Sequence, residues 1–166
     1  MKTKLLFIVP AVIILVGLGV WIYKIPKGGE KESPTRTMLL YYYNAKKDQD
    51  ASGNIQCSRQ GLVSIERSIP VTQTPIQDTV RLLISGALTP EEKAQGISTE
   101  YPLPGFALKA ASLSGGTLIL TFDDPVNRTS GGSCRAGILW FQIEATAKQF
   151  PEVKQVRFSP EELFQP

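Results

Sequence analysis

Few residues in this 166-residue chain are able to do chemistry, and histidine is absent. Without an imidazole the Ser-His-Asp and Cys-His arrangements cannot be built. Carboxylates remain: Glu91 beside Glu92, Asp123 beside Asp124, and the isolated Glu66 and Glu100. Each adjacent pair has a structural use that competes with catalysis. Thr89-Pro90-Glu91-Glu92 has the spacing of a capping box, in which the Thr oxygen takes a helix N–H and Glu92 reaches back. Asp123-Asp124-Pro125 follows an apolar run and reads as the turn that closes a strand. The chain is therefore expected to be a non-enzyme, with no catalytic residue and no cofactor.

Two cysteines, Cys57 and Cys134, lie far apart without a C-x-x-C spacing. A structural zinc needs four ligands, usually Cys or His, so no metal site is expected. The pair is either a disulfide in an oxidising compartment or two unrelated buried thiols. Polar settings around both, Asn54-Ile-Gln-Cys57-Ser-Arg and Gly131-Gly-Ser-Cys134-Arg, favour the disulfide. A redox-sensing role for the pair lacks the sequence signature of a low-pKa thiol.

The loop Gly131-Gly132-Ser133 opens a helix, with Arg128 and Arg135 beside it. Free backbone N–H groups and the helix dipole attract anions there, which makes these five residues a candidate ligand loop. The competing reading is a flexible loop in which Ser133 caps the helix.

That helix, expected over about Arg135 to Gln149, carries two apolar strips. Ala136, Trp140, Ile143, Ala147 and Phe150 recur at i, i+4, i+7, i+11 and i+14 and mark the core face, widened by Leu139. Ile138, Phe141 and Ala145 form a second strip, roughly opposite. Either the first helix or the tail residues Leu163 and Phe164 cover it, or it is a partner surface. Glu144 and Lys148 form an i, i+4 pair on the wet side.

The elements that position these residues can be read in order. Thr37 to Tyr43 is a strand apolar on both faces; Asn44 to Gly61 is a polar loop; Leu62 to Ile69 alternates as a half-exposed strand. Thr74-Pro75 opens a helix that Gly86 stops, and the capping box starts a short one. Phe106 to Leu113 and Thr117 to Asp123 flank Ser114-Gly115-Gly116 as a hairpin. Val153 to Phe158 is a last strand, and Ser159 to Phe164 a capped turn or tail. The order ββαββαβ predicts an α+β fold: one mixed or antiparallel sheet of about five strands with two main helices on one face.

Ahead of this domain, Leu5 to Tyr23 is nineteen residues without a charge, between Lys2/Lys4 and Lys24/Lys27. As a helix it spans about 28 Å, close to a bilayer's hydrocarbon thickness. The expected layout is a tail over 1–4, an uncleaved single-pass anchor over 5–23 in the lipid bilayer, a tether over 24–36, and one domain over 37–166. Basic residues near the membrane, counted alone, place the domain inside. A short basic tail ahead of a long apolar run, together with the cysteine pair, places it outside, which is the expectation adopted. The net charge of +3 owes everything to the four lysines flanking the anchor. No basic stripe follows them, so no nucleic-acid partner is expected.

Leu82-Leu83-Ile84-Ser85-Gly86, Thr89-Pro90-Glu91-Glu92-Lys93, Gly96-Ile97, Pro102, the hairpin, Thr146 and Phe150-Pro151-Glu152-Val153 with Val156 together resemble the GerMN domain. That is the sporulation and spore germination domain of bacterial envelope proteins. The likeness covers about Ile76 to Phe158. It implies a non-catalytic binding or assembly module outside the cytoplasmic membrane, whose partners are envelope proteins or a second copy. The alternative function is an extracytoplasmic sensor that binds a small anionic or cell-wall ligand at the Gly131–Arg135 loop.

Overall fold

The structure is a computed structural model and describes residues 34–165. The expected tail and anchor, and most of the tether, lie outside the described residues. Among the described residues no helix is long and apolar enough to cross a membrane.

The elements follow the expected order. They are β1 (Thr35–Tyr43), β2 (Leu62–Pro70), α1 (Pro75–Ile84), α2 (Pro90–Ala94), β3 (Ala107–Ser114), β4 (Thr117–Asp123), α3 (Ser133–Lys148) and β5 (Gln155–Ser159). β1 begins two residues inside the segment read as tether, because Thr35 and Arg36 pair with Pro70 and Ile69. Gly115 and Gly116 both adopt positive φ, the conformation a two-residue hairpin turn requires, and they join β3 to β4. The capping box forms in full at the start of α2. Thr74 takes the cap position of α1 without a side-chain bond to a helix N–H. Its hydroxyl goes instead to Asp78, at 3.2 Å.

The single five-stranded sheet is corrected to two sheets. β1 pairs only with β2, antiparallel; β3, β4 and β5 form the second sheet, with β5 parallel to β4 through the α3 crossover. The reason lies on the outer edge of β1, where side chains take the place of a neighbouring strand. Gln149 accepts from the N–H of Leu39 at 2.9 Å and donates to its carbonyl at 2.7 Å. Thr146 Oγ1 accepts from the N–H of Tyr41 at 3.0 Å, and Tyr43 exchanges main-chain bonds with Ser98. The outward groups of Leu39 and Tyr43 and the N–H of Tyr41 are thus satisfied without a neighbouring strand, and the ladder ends there.

Strand alternation builds the core. Met38, Leu40 and Tyr42 point inward from β1, as do Leu118, Leu120 and Phe122 from β4. The other face of β1, carrying Leu39 and Tyr41, is half-buried rather than fully buried. Val80 and Leu83 of α1 and Ala136, Leu139, Ile143 and Ala147 of α3 close the core. Tyr42 is completely buried and its hydroxyl has no partner among the described residues, so burial pushes the phenol up to about 12. The tail is not a loose end. Leu163 and Phe164 are buried, and the Phe164 ring meets Phe106, Phe122 and Phe158 at centroid distances of 5.9, 6.4 and 4.9 Å.

Candidate interaction surface

The polar segment Asn44 to Gly61 folds into a built loop around one buried carboxylate. Asp48 is 1 % exposed. Its carboxylate accepts from the Tyr43 hydroxyl at 2.5 Å, and from the N–H and hydroxyl of Ser58 at 2.6 and 2.5 Å. Burial alone would raise this carboxyl, but the bonds from Ser58 and Tyr43 outweigh it and hold it below the usual range. The same contact, with burial as the larger cause, pushes the Tyr43 phenol upward. Asp50 organises the loop tip, taking the N–H groups of Ser52 and Asn54 at 2.8 and 2.9 Å. Asn44 fixes the loop's start, donating to the Gln95 carbonyl at 3.1 Å and accepting from the N–H of Lys46 at 3.0 Å.

Cys57 and Cys134 are joined, with their Cα atoms 5.1 Å apart and a sequence separation of 77. The bond ties this loop to the first turn of α3. Two residues after Cys57 comes Arg59, and its guanidinium carbon lies 4.1 Å from the centroid of the Phe141 ring. The guanidinium is also ion-paired with Glu144, which bonds Lys148 at 2.8 Å. Burial would raise the Glu144 carboxyl, yet these two cations hold it low.

The tail residues that were a candidate cover for the second strip of α3, Leu163 and Phe164, sit in the phenylalanine cluster. Ile138, Phe141 and Ala145 are each half-buried, and the cover over Phe141 is the disulfide-tied Arg59. Arg59 and Asp48 were not singled out by sequence reasoning. The signal was available for Arg59: once Cys57 is bonded to Cys134, a residue two positions on reaches along α3 toward residue 141.

In the candidate ligand loop the Arg135 side chain is engaged within the protein. Arg135 donates to Glu100 at 2.6 Å and to the carbonyls of Arg128 and Ser130 at 2.9 and 2.6 Å. Asp124 accepts from the N–H groups of Arg128 and Thr129 at 2.7 and 2.9 Å, the turn role expected of it. Gly132 occupies the cap position of α3, with Gly131 just before it, and Ser133 is the first helical residue rather than the cap. The remaining carboxylates are dispersed. Glu92 pairs with Arg67 at 2.7 Å, which holds its carboxyl low; Asp123 lies 3.4 Å from Lys109; Glu66 is exposed. No three acidic or thiol groups converge as a metal site among the described residues.

Comparison with known proteins follows from this geometry. Residues 39–162 match the family model Germane, described as sporulation and spore germination. No curated protein matches the chain in sequence. Among solved structures, the chain is similar to the tandem GerMN domains of the sporulation protein GerM from Bacillus subtilis. The identity is 18% and the TM-score 0.53, over 80% of this chain and 42% of that one, so the chain spans less than half of that tandem protein. An inferred lipoprotein from Clostridium perfringens is also similar, at 18% identity and TM-score 0.39, over 75% of this chain and 73% of that one.

Proposed function

The chain belongs to the sporulation and spore germination family, Germane, and we propose that it works as a non-catalytic assembly module of the cell envelope. In this reading residues 5–23 hold it in the cytoplasmic membrane, the domain stands on the extracytoplasmic side, and it acts by contact with envelope proteins. The Cys57–Cys134 bond supports an oxidising location.

The observation that carries the reading is the state of α3. The apolar strip of Ile138, Phe141 and Ala145 is only half-buried, and a single arginine from a loop, Arg59, lies over its Phe141 ring. Aromatic and arginine side chains at a shared patch are the residue types that anchor protein contacts. The carboxylates that chemistry would need are engaged otherwise: Glu92 in a cap and ion pair, Asp124 in a turn, Glu100 on Arg135. That supports binding over catalysis.

A photoreactive residue at Ala145 of the full-length chain tests it. In membranes it should form a crosslink to one discrete protein, and Phe141→Asp should remove that crosslink. A crosslink unaffected by Phe141→Asp, or none at all, contradicts the reading.

A further inference from the structure

β3 is an outer strand of the three-stranded sheet, and its far edge is open. In a two-residue hairpin the closing pair, here Ser114 and Thr117, exchanges both main-chain bonds, and the pattern alternates along the ladder. Ser112 and Ser114 therefore spend their N–H and C=O groups on β4, while Ala111 and Leu113 turn theirs outward. No cap or loop meets those groups among the described residues. β1 differs: Ser98, Thr146 and Gln149 close its edge at Leu39, Tyr41 and Tyr43.

The side chains at this edge are unfinished as well. Ala111 and Leu113 stand opposite Leu120 and Leu118 and so belong to the core face, yet Leu113 is 39 % exposed. Beside them, between β3 and the start of α1, lies a cavity of about 320 Å³ whose apolar side is Ile76, Ala111, Leu113 and Leu118 and whose polar side includes Gln77 and Glu152.

We propose that this edge pairs with the same edge of a second copy, antiparallel, with Ser112 facing Ser112. That register sets Ala111 opposite the second copy's Leu113, twice by symmetry, and lets their outward groups form four main-chain bonds. Each leucine then packs over a small alanine at the mouth of the cavity. Charge decides between the open edges. The segment Ala110 to Ser114 is uncharged, and Lys109 sits outside it at the β-bulge. The same pairing at β5 would set Arg157 against Arg157, and like charges directly opposite are destabilising. β2 carries Glu66 and Arg67 mid-strand and ends in Pro70. The pairing rests on the reading that the domain works by protein contact, but it uses a face other than the α3 strip, so the two fail separately.

The test uses cysteine pairs in the full chain in its membrane. Ser112→Cys should give a covalent dimer under mild oxidation, since directly opposite Cβ atoms lie about 4.5–5.5 Å apart. Chains carrying Ala111→Cys mixed with chains carrying Leu113→Cys should join more efficiently than either alone, which reads the register without disturbing the fold. Arg157→Cys should stay monomeric, and Phe141→Asp should leave the Ser112→Cys dimer intact. Absence of that dimer, equal joining at Arg157→Cys, no gain in the mixture, or capture of a different protein at Ser112→Cys would overturn the proposal.

Discussion

The guanidinium of Arg59 lies over the ring of Phe141, 4.1 Å from its centroid, and is ion-paired with Glu144 on the same helix. An exposed cation–π contact contributes about 0.5–1 kcal/mol and an exposed ion pair about 0–1 kcal/mol. The cover over the Phe141 ring is therefore held weakly, by a side chain a partner can displace.

Arg59→Ala should lower stability by no more than about 1–2 kcal/mol, the sum of those two contacts. Thermal melts of the wild type and variant measure it. A loss several times larger would mean that Arg59 holds the loop itself.

The disulfide is expected to stabilise the fold by up to about 4.5 kcal/mol in the chain-entropy model, given the 77-residue separation. Thiol labelling of the denatured, unreduced chain should find no reactive cysteine. Replacing both cysteines with serine should speed amide exchange over residues 44–61 before it affects β4.

Asp48 sets an acid limit on that loop. Its carboxyl titrates lower in the fold than in the unfolded chain, so unfolding takes up a proton as pH falls. The stabilisation is fully present above the ordinary carboxylate pKa of about 3.9 and is lost as pH drops through the lower folded value. Asp48→Asn should cost about 1–3 kcal/mol at neutral pH through poorer satisfaction of Tyr43 and Ser58. It should also flatten the acid decline of the denaturant midpoint. An unchanged decline would place the acid sensitivity elsewhere.

Gln149 holds the edge of β1. Gln149→Leu leaves the main-chain groups of Leu39 unpaired and should cost about 1–3 kcal/mol. Aggregation should rise with it, because an open strand edge is a template for pairing. Light scattering and denaturant melts report the two effects.

Much of the fold is legible from local signals. Thr89 to Glu92 writes its own cap, Gly115-Gly116 its own turn, and the spacing from Ala136 to Phe150 its own buried face. The split into two sheets is not legible, because it depends on Gln149 and Thr146 meeting Leu39 and Tyr41 more than a hundred residues earlier in the chain. Nor is the tail's burial, since Leu163-Phe164 carries no periodicity. Cys57 and Cys134 were readable from their polar settings and from the absence of metal-ligand spacing. The partners of Arg135 were not legible either, since its loop carbonyls and Glu100 meet it only in the fold.

Phe141→Asp in the full chain tests the central claim most directly, read both by thermal melting of the purified protein and by chemical crosslinking in membranes. The half-buried position of Phe141 predicts a melting shift of a few degrees, about that of 1 kcal/mol, together with loss of the crosslinks to envelope proteins. A folded variant that keeps its crosslinks, or one that melts tens of degrees earlier, would contradict the account.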